Sequence, residues 1–214
     1  MAIDELLNEH EQSEQVRNWV RSNALGLIGG VALGLAAIVG WQWWQGKRLQ
    51  AGAETSASYS SAVTAFEAGK IPQDKGKAVI AGLSKGNPTL ATLAALQLAK
   101  AQADAGKRDD AIATLQGLGT VDPDLRPVLN QRLARLLIDA GKAKEALPLL
   151  NDERDAAMLD VQGDAQFALG DRAKAQAAYL KALALVDVAS PQHRLITLKL
   201  IEAGGTPPHT EDKT

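Results

Sequence analysis

From Ala24 to Trp44 the chain has 21 residues without a charge, and Gln42 is the one strongly polar side chain among them. At about 1.5 Å per residue, a helix of this length crosses a hydrocarbon layer of about 30 Å. The flanks suit such a crossing. Trp19 on one side and Trp41, Trp43 and Trp44 on the other fit the headgroup zones, while Arg17, Arg21, Lys47 and Arg48 stay in water. A cleaved signal peptide has a shorter apolar region, about 7 to 15 residues, ending beside a small-residue cleavage site. Here the one small-residue pattern of that kind, Ala51-Gly52-Ala53, lies beyond Lys47 and Arg48. A soluble core helix apolar on all sides needs a larger protein around it than this chain supplies. The segment therefore reads as a membrane span, with membrane lipid as its first partner.

Charge counting does not choose an orientation, because Arg17 and Arg21 on one side balance Lys47 and Arg48 on the other, and acidic residues contribute little to the rule. Inside the span Gly26, Gly30 and Gly34 recur every fourth residue, and Ala32, Ala36 and Gly40 do so on another face. Small residues at this spacing let a second helix approach closely. Glycine is also common in membrane helices generally, so the stripe reads either as a packing face or as ordinary span composition.

Outside the span the charges nearly cancel. Residues 1–23 carry Asp4, Glu5, Glu9, Glu11 and Glu14 against Arg17 and Arg21, which leaves 21 basic and 20 acidic side chains for residues 45–214. A nucleic-acid-binding surface needs a basic excess to displace counterions, so no nucleic-acid partner is expected. With no cysteine, disulfide frameworks, thiolate metal sites and cysteine nucleophiles are excluded together. All four Trp lie between Trp19 and Trp44, so Tyr59, Phe66, Phe167 and Tyr179 are the only rings left for a soluble core. Ala and Leu must build the rest, which suits closely packed helices.

The soluble part repeats itself. Three stretches, Ala105–Ile112, Ala140–Leu147 and Leu169–Gln176, each contain a Gly followed five residues later by Ala (Ala111, Ala146, Ala175) and nine later by a bulky apolar residue (Leu115, Leu150, Tyr179). The glycines, Gly106, Gly141 and Gly170, are 35 and 29 residues apart. A glycine after an apolar periodic run ends one helix in a left-handed conformation, and the charged residues after it open the next. The alanine is small where two helices cross, and the bulky residue one turn on fills the space between them. The unit is thus a helix-turn-helix hairpin made three times.

Leu90, Leu93, Ala94, Leu98 and Ala101 keep a period near 3.6, as do Leu129, Leu133, Leu136 and Leu137. Pro88, Pro123 and Pro191 precede helices expected to start near Thr89, Leu125 and Gln192. Ala51–Gly69 and Asp74–Lys85 form a more divergent first hairpin, with Gly69 and Pro72 at its turn. Stacking such units buries the face that each leaves exposed, which is why they occur in arrays. The expected organisation is an acidic tail over 1–23, a transmembrane helix over 24–44, a repeat domain over 45–203 and a polar, disordered tail over 204–214.

The third hairpin, with Gly163, Gly170, Ala175, Tyr179, Ala182 and Leu183, resembles a tetratricopeptide repeat. The family's large first-helix residues fall, across the three hairpins, on Ala95, Asn130 and Leu159 and then on Gln102, Leu137 and Gln166, so several are small or polar here. The fold class implied is all-α, a single transmembrane helix followed by a tetratricopeptide-like solenoid of helical hairpins. By the same resemblance Leu96 and Lys100, Gln131 and Arg135, and Asp160 and Asp164 point to the inner face of the superhelix, where they offer a protein-binding surface of both charge signs. Solvation of an unused face is the alternative reading of these six.

Across nearly its full length the chain is similar to the YfgM family, the ancillary subunit of the bacterial SecYEG translocon. The likeness runs through Glu14-Gln15-Val16-Arg17-Asn18-Trp19, Gly40-Trp41-Gln42-Trp43-Trp44, Ala57-Ser58-Tyr59-Ser60-Ser61-Ala62-Val63, Leu96-Gln97-Leu98-Ala99, Arg132-Leu133-Ala134-Arg135, and the Gly163-Asp164 and Gly170-Asp171 pairs. It implies a bacterial inner-membrane protein with a cytoplasmic N-terminus and periplasmic repeats. The partners implied are the SecYEG translocon, a PpiD-like membrane-anchored chaperone, and periplasmic client proteins or chaperones.

Catalytic and cofactor signatures are not found. His10, His193 and His209 lie in three separate regions with no second ligand at helical spacing, so no metal is expected. The soluble part has no phosphate-binding glycine loop and no Gly-x-Ser-x-Gly elbow, and neither cofactor nor enzyme activity is expected. A second functional class stays open beside the adaptor. Ile3, Leu6, Leu7 and His10 give the acidic N-terminus a partial apolar stripe that could fold on a cytoplasmic response protein, making the chain a signalling regulator.

Overall fold

The computed structural model of the chain describes the backbone of residues 2–69 and 73–208 and the side chains of residues 13–69 and 75–208. The side chains of Ile3, Leu6, Leu7 and His10 lie outside the described residues, as do Pro72 and residues 209–214 with His209. Among the described residues every regular element is a helix. The chain divides into two compact units, Met1–Glu54 and Thr55–Thr214.

The first helix, α1, runs Ala2–Glu67. No proline occurs before Pro72, so no missing amide hydrogen interrupts the ladder, and an interior glycine such as Gly46 or Gly52 costs only about 1 kcal/mol without breaking it. The span and the helix expected from Ala51 are therefore one element. In the first unit no described residue packs against the apolar run. Its window of mean hydropathy 2.0 is wholly unburied, and Leu25 is 90% exposed. Apolar area left in water costs about 25 cal/mol per Å2, whereas hydrocarbon solvates it and the helix satisfies its own backbone. At the end of the run Lys47 Nζ lies 4.3 Å from the centre of the Trp43 ring, and the Arg48 guanidinium carbon lies 4.1 Å from that of Trp44. Each cation covers an aromatic face one turn back, an arrangement suited to the headgroup zone. A Cβ built on Gly26, Gly30 or Gly34 meets nothing within 4 Å, so no described residue occupies that stripe.

In the second unit, after the end of α1, come α2 (Gln73–Gly86), α3 (Pro88–Asp104), α4 (Arg108–Gln116), α5 (Arg126–Asp139) and α6 (Ala143–Ala146). A 3-10 turn over Leu147–Leu149 leads on to α7 (Ala156–Ala168), α8 (Arg172–Leu185) and α9 (Pro191–Glu202). Successive helices pack on one another, and α3 also touches α5, and α5 touches α7, so the first helices of consecutive hairpins share a face. Helix starts are capped by side chains: Asn87 accepts from the Leu90 amide, Asp155 from Ala157, and Ser190 from His193. Pro88 and Pro191 sit immediately inside these caps, where no amide hydrogen is needed.

The expected turn glycines all adopt positive φ, 77° at Gly106, 75° at Gly141 and 81° at Gly170. In each case the residue after the glycine donates its amide to a carbonyl five residues back, Lys107 to Gln102, Lys142 to Leu137 and Asp171 to Gln166. The glycine itself donates three back, which completes the two-bond C-terminal cap. The same cap occurs a fourth time, at the head of the polar tail, where Gly204 has φ 87° and Gly205 donates to Leu200. Gln176 secures it by donating to the Ala203 carbonyl at 2.7 Å.

The residues placed at the helix crossings by the repeat are all in the core: Ala111, Ala146 and Ala175 are fully buried, and Leu115, Leu150 and Tyr179 nearly so. The second hairpin departs from the pattern. Its second helix, α6, is four residues long and passes into the 3-10 turn. Pro148 has no amide hydrogen and its ring would clash with the carbonyl one turn back, so the ladder ends there. This truncation accounts for the short spacing of 29 residues between Gly141 and Gly170. Leu150 nevertheless reaches the core from the helix's end.

Packing is close in the third hairpin, where a Cβ added to Gly163 would lie 2.3 Å from Tyr179 Cε1. The ring lies directly on the backbone of α7. Gly163→Ala should therefore lower stability by about 1–3 kcal/mol through displacement of a buried ring, whereas Gly119→Ala, with open space around it, should be neutral within about 0.5 kcal/mol. Thermal unfolding followed by circular dichroism checks the contrast.

Candidate functional site

Helices α3, α5 and α7 carry the six residues assigned to a binding face, and the structure divides them. On α3, Leu96 is half-buried against the core and Lys100 is exposed, its Nζ 2.6 Å from Asp104 Oδ2 one turn on. Both line a groove of about 260 Å3 between α3 and α5, together with Leu115, Arg132, Arg135 and Leu136. Leu96, Leu115 and Leu136 give this groove an apolar floor, while the long cationic side chains stand at its edge with Asp104 and Asp139. Gln131 is half-buried on α5 and does not line it.

Arg135 joins this open part to a closed one. Its Nη2 is 3.5 Å from Asp160 Oδ2 on α7, and Asp160 is buried, with only 4% of its side chain exposed. A carboxylate removed from water needs compensation, and α9 supplies it: Lys199 Nζ lies 2.7 Å from Asp160 Oδ1 and 2.8 Å from Asp164 Oδ2. Tyr179 Oη on α8 donates to the other oxygen of Asp164 at 2.8 Å. Five side chains from four helices thus form one network, in which two cations face two carboxylates.

Burial pushes the Asp160 carboxyl above the ordinary carboxylate value; the Lys199 hydrogen bond opposes this, the neighbouring Asp164 charge adds to it, and Arg135 opposes it. Burial first, and the hydrogen bond to Asp164 second, push the Tyr179 phenol far above its usual value, so it remains a donor. At the exposed turn before α8, Asp171 is lowered instead, by its bonds to the Lys174 side chain and amide.

Asp160 and Asp164, assigned from sequence to ligand contact, are thus occupied by the protein's own groups, whereas Leu96, Lys100 and Arg135 line an accessible groove. Lys199 and the Tyr179 hydroxyl were missed. They stand 39 and 15 residues from their respective carboxylates, Asp160 and Asp164, and no periodicity connects them. Arg132 was missed as a groove residue, although it lies one turn from Arg135 on α5. Among the described residues no group of three or more His, Cys, Asp or Glu is placed to hold a metal ion. His193 is half-buried in the first turn of α9.

The profile of the tetratricopeptide repeat-like domain family matches residues 17–204. Among curated proteins, the ancillary SecYEG translocon subunit of Escherichia coli (strain K12) is 32% identical over 106 residues, which is 50% of this chain and 50% of that protein. The aligned part therefore spans about half the length of the relative.

Removing the Lys199 ammonium would leave Asp160 buried with Arg135 alone. Lys199→Met should cost about 3–5 kcal/mol at neutral pH. The sign of the pH response follows from the raised Asp160 value. A group that holds its proton more tightly when folded contributes stability that is full below about pH 4 and is lost as pH rises through its folded value. Without Lys199 that value rises further, so the variant should recover part of its loss between roughly pH 7 and pH 5. Chemical denaturation at the two pH values reads both effects.

Proposed function

The chain belongs to the tetratricopeptide repeat-like domain family, and from that premise we propose that it is a membrane-anchored adaptor of the bacterial Sec translocon, which helps pass translocated proteins to periplasmic chaperones. The observation that carries the reading is the combination, in one chain, of a helix able to cross a bilayer with helical repeats that match the family from residue 17 to residue 204. The likeness to an ancillary SecYEG translocon subunit supplies the setting. The domain boundaries that go with it are an N-terminal tail over 1–23, a transmembrane helix over 24–44, the repeat domain over 45–203 and a tail over 204–214.

In this reading the chain is single-pass in the inner membrane, with its N-terminus cytoplasmic and its repeats periplasmic. It neighbours the SecYEG translocon and a PpiD-like anchored chaperone. Gly26, Gly30 and Gly34 pack against another membrane helix, since the stripe has no partner among the described residues and close helix approach replaces lipid contacts. The repeat face supplies binding and no chemistry. Leu96 and its apolar neighbours receive side chains of an extended client, and Lys100, Arg132 and Arg135 receive its carboxylates or carbonyls. Gln131 stands at the edge of this surface, and Asp160 and Asp164 hold its far end rigid.

Two measurements test the proposal. A reporter fused after Thr214 should be active only when the C-terminus is periplasmic, and activity on the cytoplasmic side would end the reading. A photo-reactive residue in place of Leu96 should cross-link to chains arrested in the translocon, and Arg132→Glu should reduce that yield about fivefold, equivalent to roughly 1 kcal/mol of contact. Equal yields from the groove and from a probe at Ala173, an exposed residue of α8, would remove the groove from the mechanism.

A further inference from the structure

The final helix has two apolar faces. Ile196, Leu200 and Ala203 are fully buried, in one cluster with Tyr179, Ala182 and Leu183 of α8. On the other side Leu195, Leu198 and Ile201 are 52%, 64% and 52% exposed, with Arg194 and Glu202 exposed beside them. At 3.6 residues per turn these five positions fall within an arc of about 120° centred on Leu198. Lys199 lies outside that arc and is taken up by Asp160 and Asp164. A repeat array needs a polar outer face on its terminal unit to stay soluble alone, and this one is apolar. Among the described residues no element covers it.

We propose that this face docks a second copy of the chain, the two α9 helices pairing antiparallel about a two-fold axis at Leu198. The order of residues is self-complementary about that position. Arg194 and Glu202 lie four residues to either side of it, and Leu195 and Ile201 three to either side. Antiparallel pairing sets Arg194 against the partner's Glu202 at both ends, Leu195 against the partner's Ile201, and Leu198 against its own counterpart. A parallel pair would instead set arginine beside arginine and glutamate beside glutamate, which repel. An unrelated partner would require no such symmetry, whereas a two-fold contact between identical chains demands it. One pair of 12-residue helices buries less than the roughly 800 Å2 per partner of a standard interface. Anchoring in a membrane offsets this by raising the effective concentration of copies. The inference does not depend on the translocon reading.

The chain has no cysteine, so single cysteines report the geometry in the full-length protein, in membranes treated with a mild oxidant. Leu198→Cys should form a disulfide-linked dimer in several-fold greater yield than Ala173→Cys, a control on the exposed surface of α8. Leu195→Cys and Ile201→Cys should each link poorly alone and well when the two variants are co-expressed. Arg194→Glu should lower the Leu198→Cys dimer several-fold, and adding Glu202→Arg should restore it. All these positions are on the surface, and an unchanged helical circular dichroism signal establishes that each variant is folded. A Leu198→Cys yield equal to the control, a product with the mass of a different protein, a Leu195→Cys homodimer as abundant as that of Leu198→Cys, or a charge exchange that restores nothing would each overturn the proposal.

Discussion

A right-handed helix cannot reverse direction unless the backbone at its end leaves the helical region, and inside each repeated hairpin a glycine makes that departure. Gly106, Gly141, Gly170 and Gly204 each take a positive φ and close the helix with the same two amide-to-carbonyl bonds. An L side chain at those angles would strain its Cβ against the backbone. The three hairpins follow from the first three of these turns, and the packing follows from the hairpins. Five residues after the three internal turn glycines an alanine lets the returning helix approach closely, and four later a Leu or Tyr fills the space opened beside it. A soluble core with so few aromatic residues is possible because backbone proximity, rather than ring volume, excludes the water.

Along the face shared by the first helices, packing alone does not hold the last helix in place. Lys199 reaches back from α9 to two carboxylates on α7, one of them buried. A buried ion pair of this kind contributes little net stability relative to a well-packed apolar one, but breaking it is costly. Its effect is on geometry, in that it ties α9 to Asp160 and Asp164 of α7. It also divides the face structurally. Its carboxylate end is saturated by internal partners, whereas the groove between α3 and α5 keeps an apolar floor and two exposed guanidinium groups.

The apolar run of α1 follows a different solvent logic. Its Leu, Ile and Val side chains point outward all round and are exposed, the reverse of what water selects. The aromatic and cationic residues at its end pair with each other one turn apart, so that polar atoms and ring edges share the boundary layer.

Patterns carried by residues near one another along the chain were readable in advance because they depend on local chemistry. The uncharged run, the turn glycines, the crossing alanines and the helical fold class are of this kind, as the positive φ values and buried alanines bear out. The effect of Pro148 on α6 was equally local and could have been read from its missing amide hydrogen. The fourth cap at Gly204 was hidden by the polar, proline-rich residues after it, which resemble a tail until Gln176 of α8 is seen to bind there. The roles of Asp160 and Asp164 were not legible, since helical periodicity shows which way a side chain points and not which group meets it. That meeting depends on where α9 lands, and Lys199 is 39 residues from Asp160 along the chain but 2.7 Å from it in the fold.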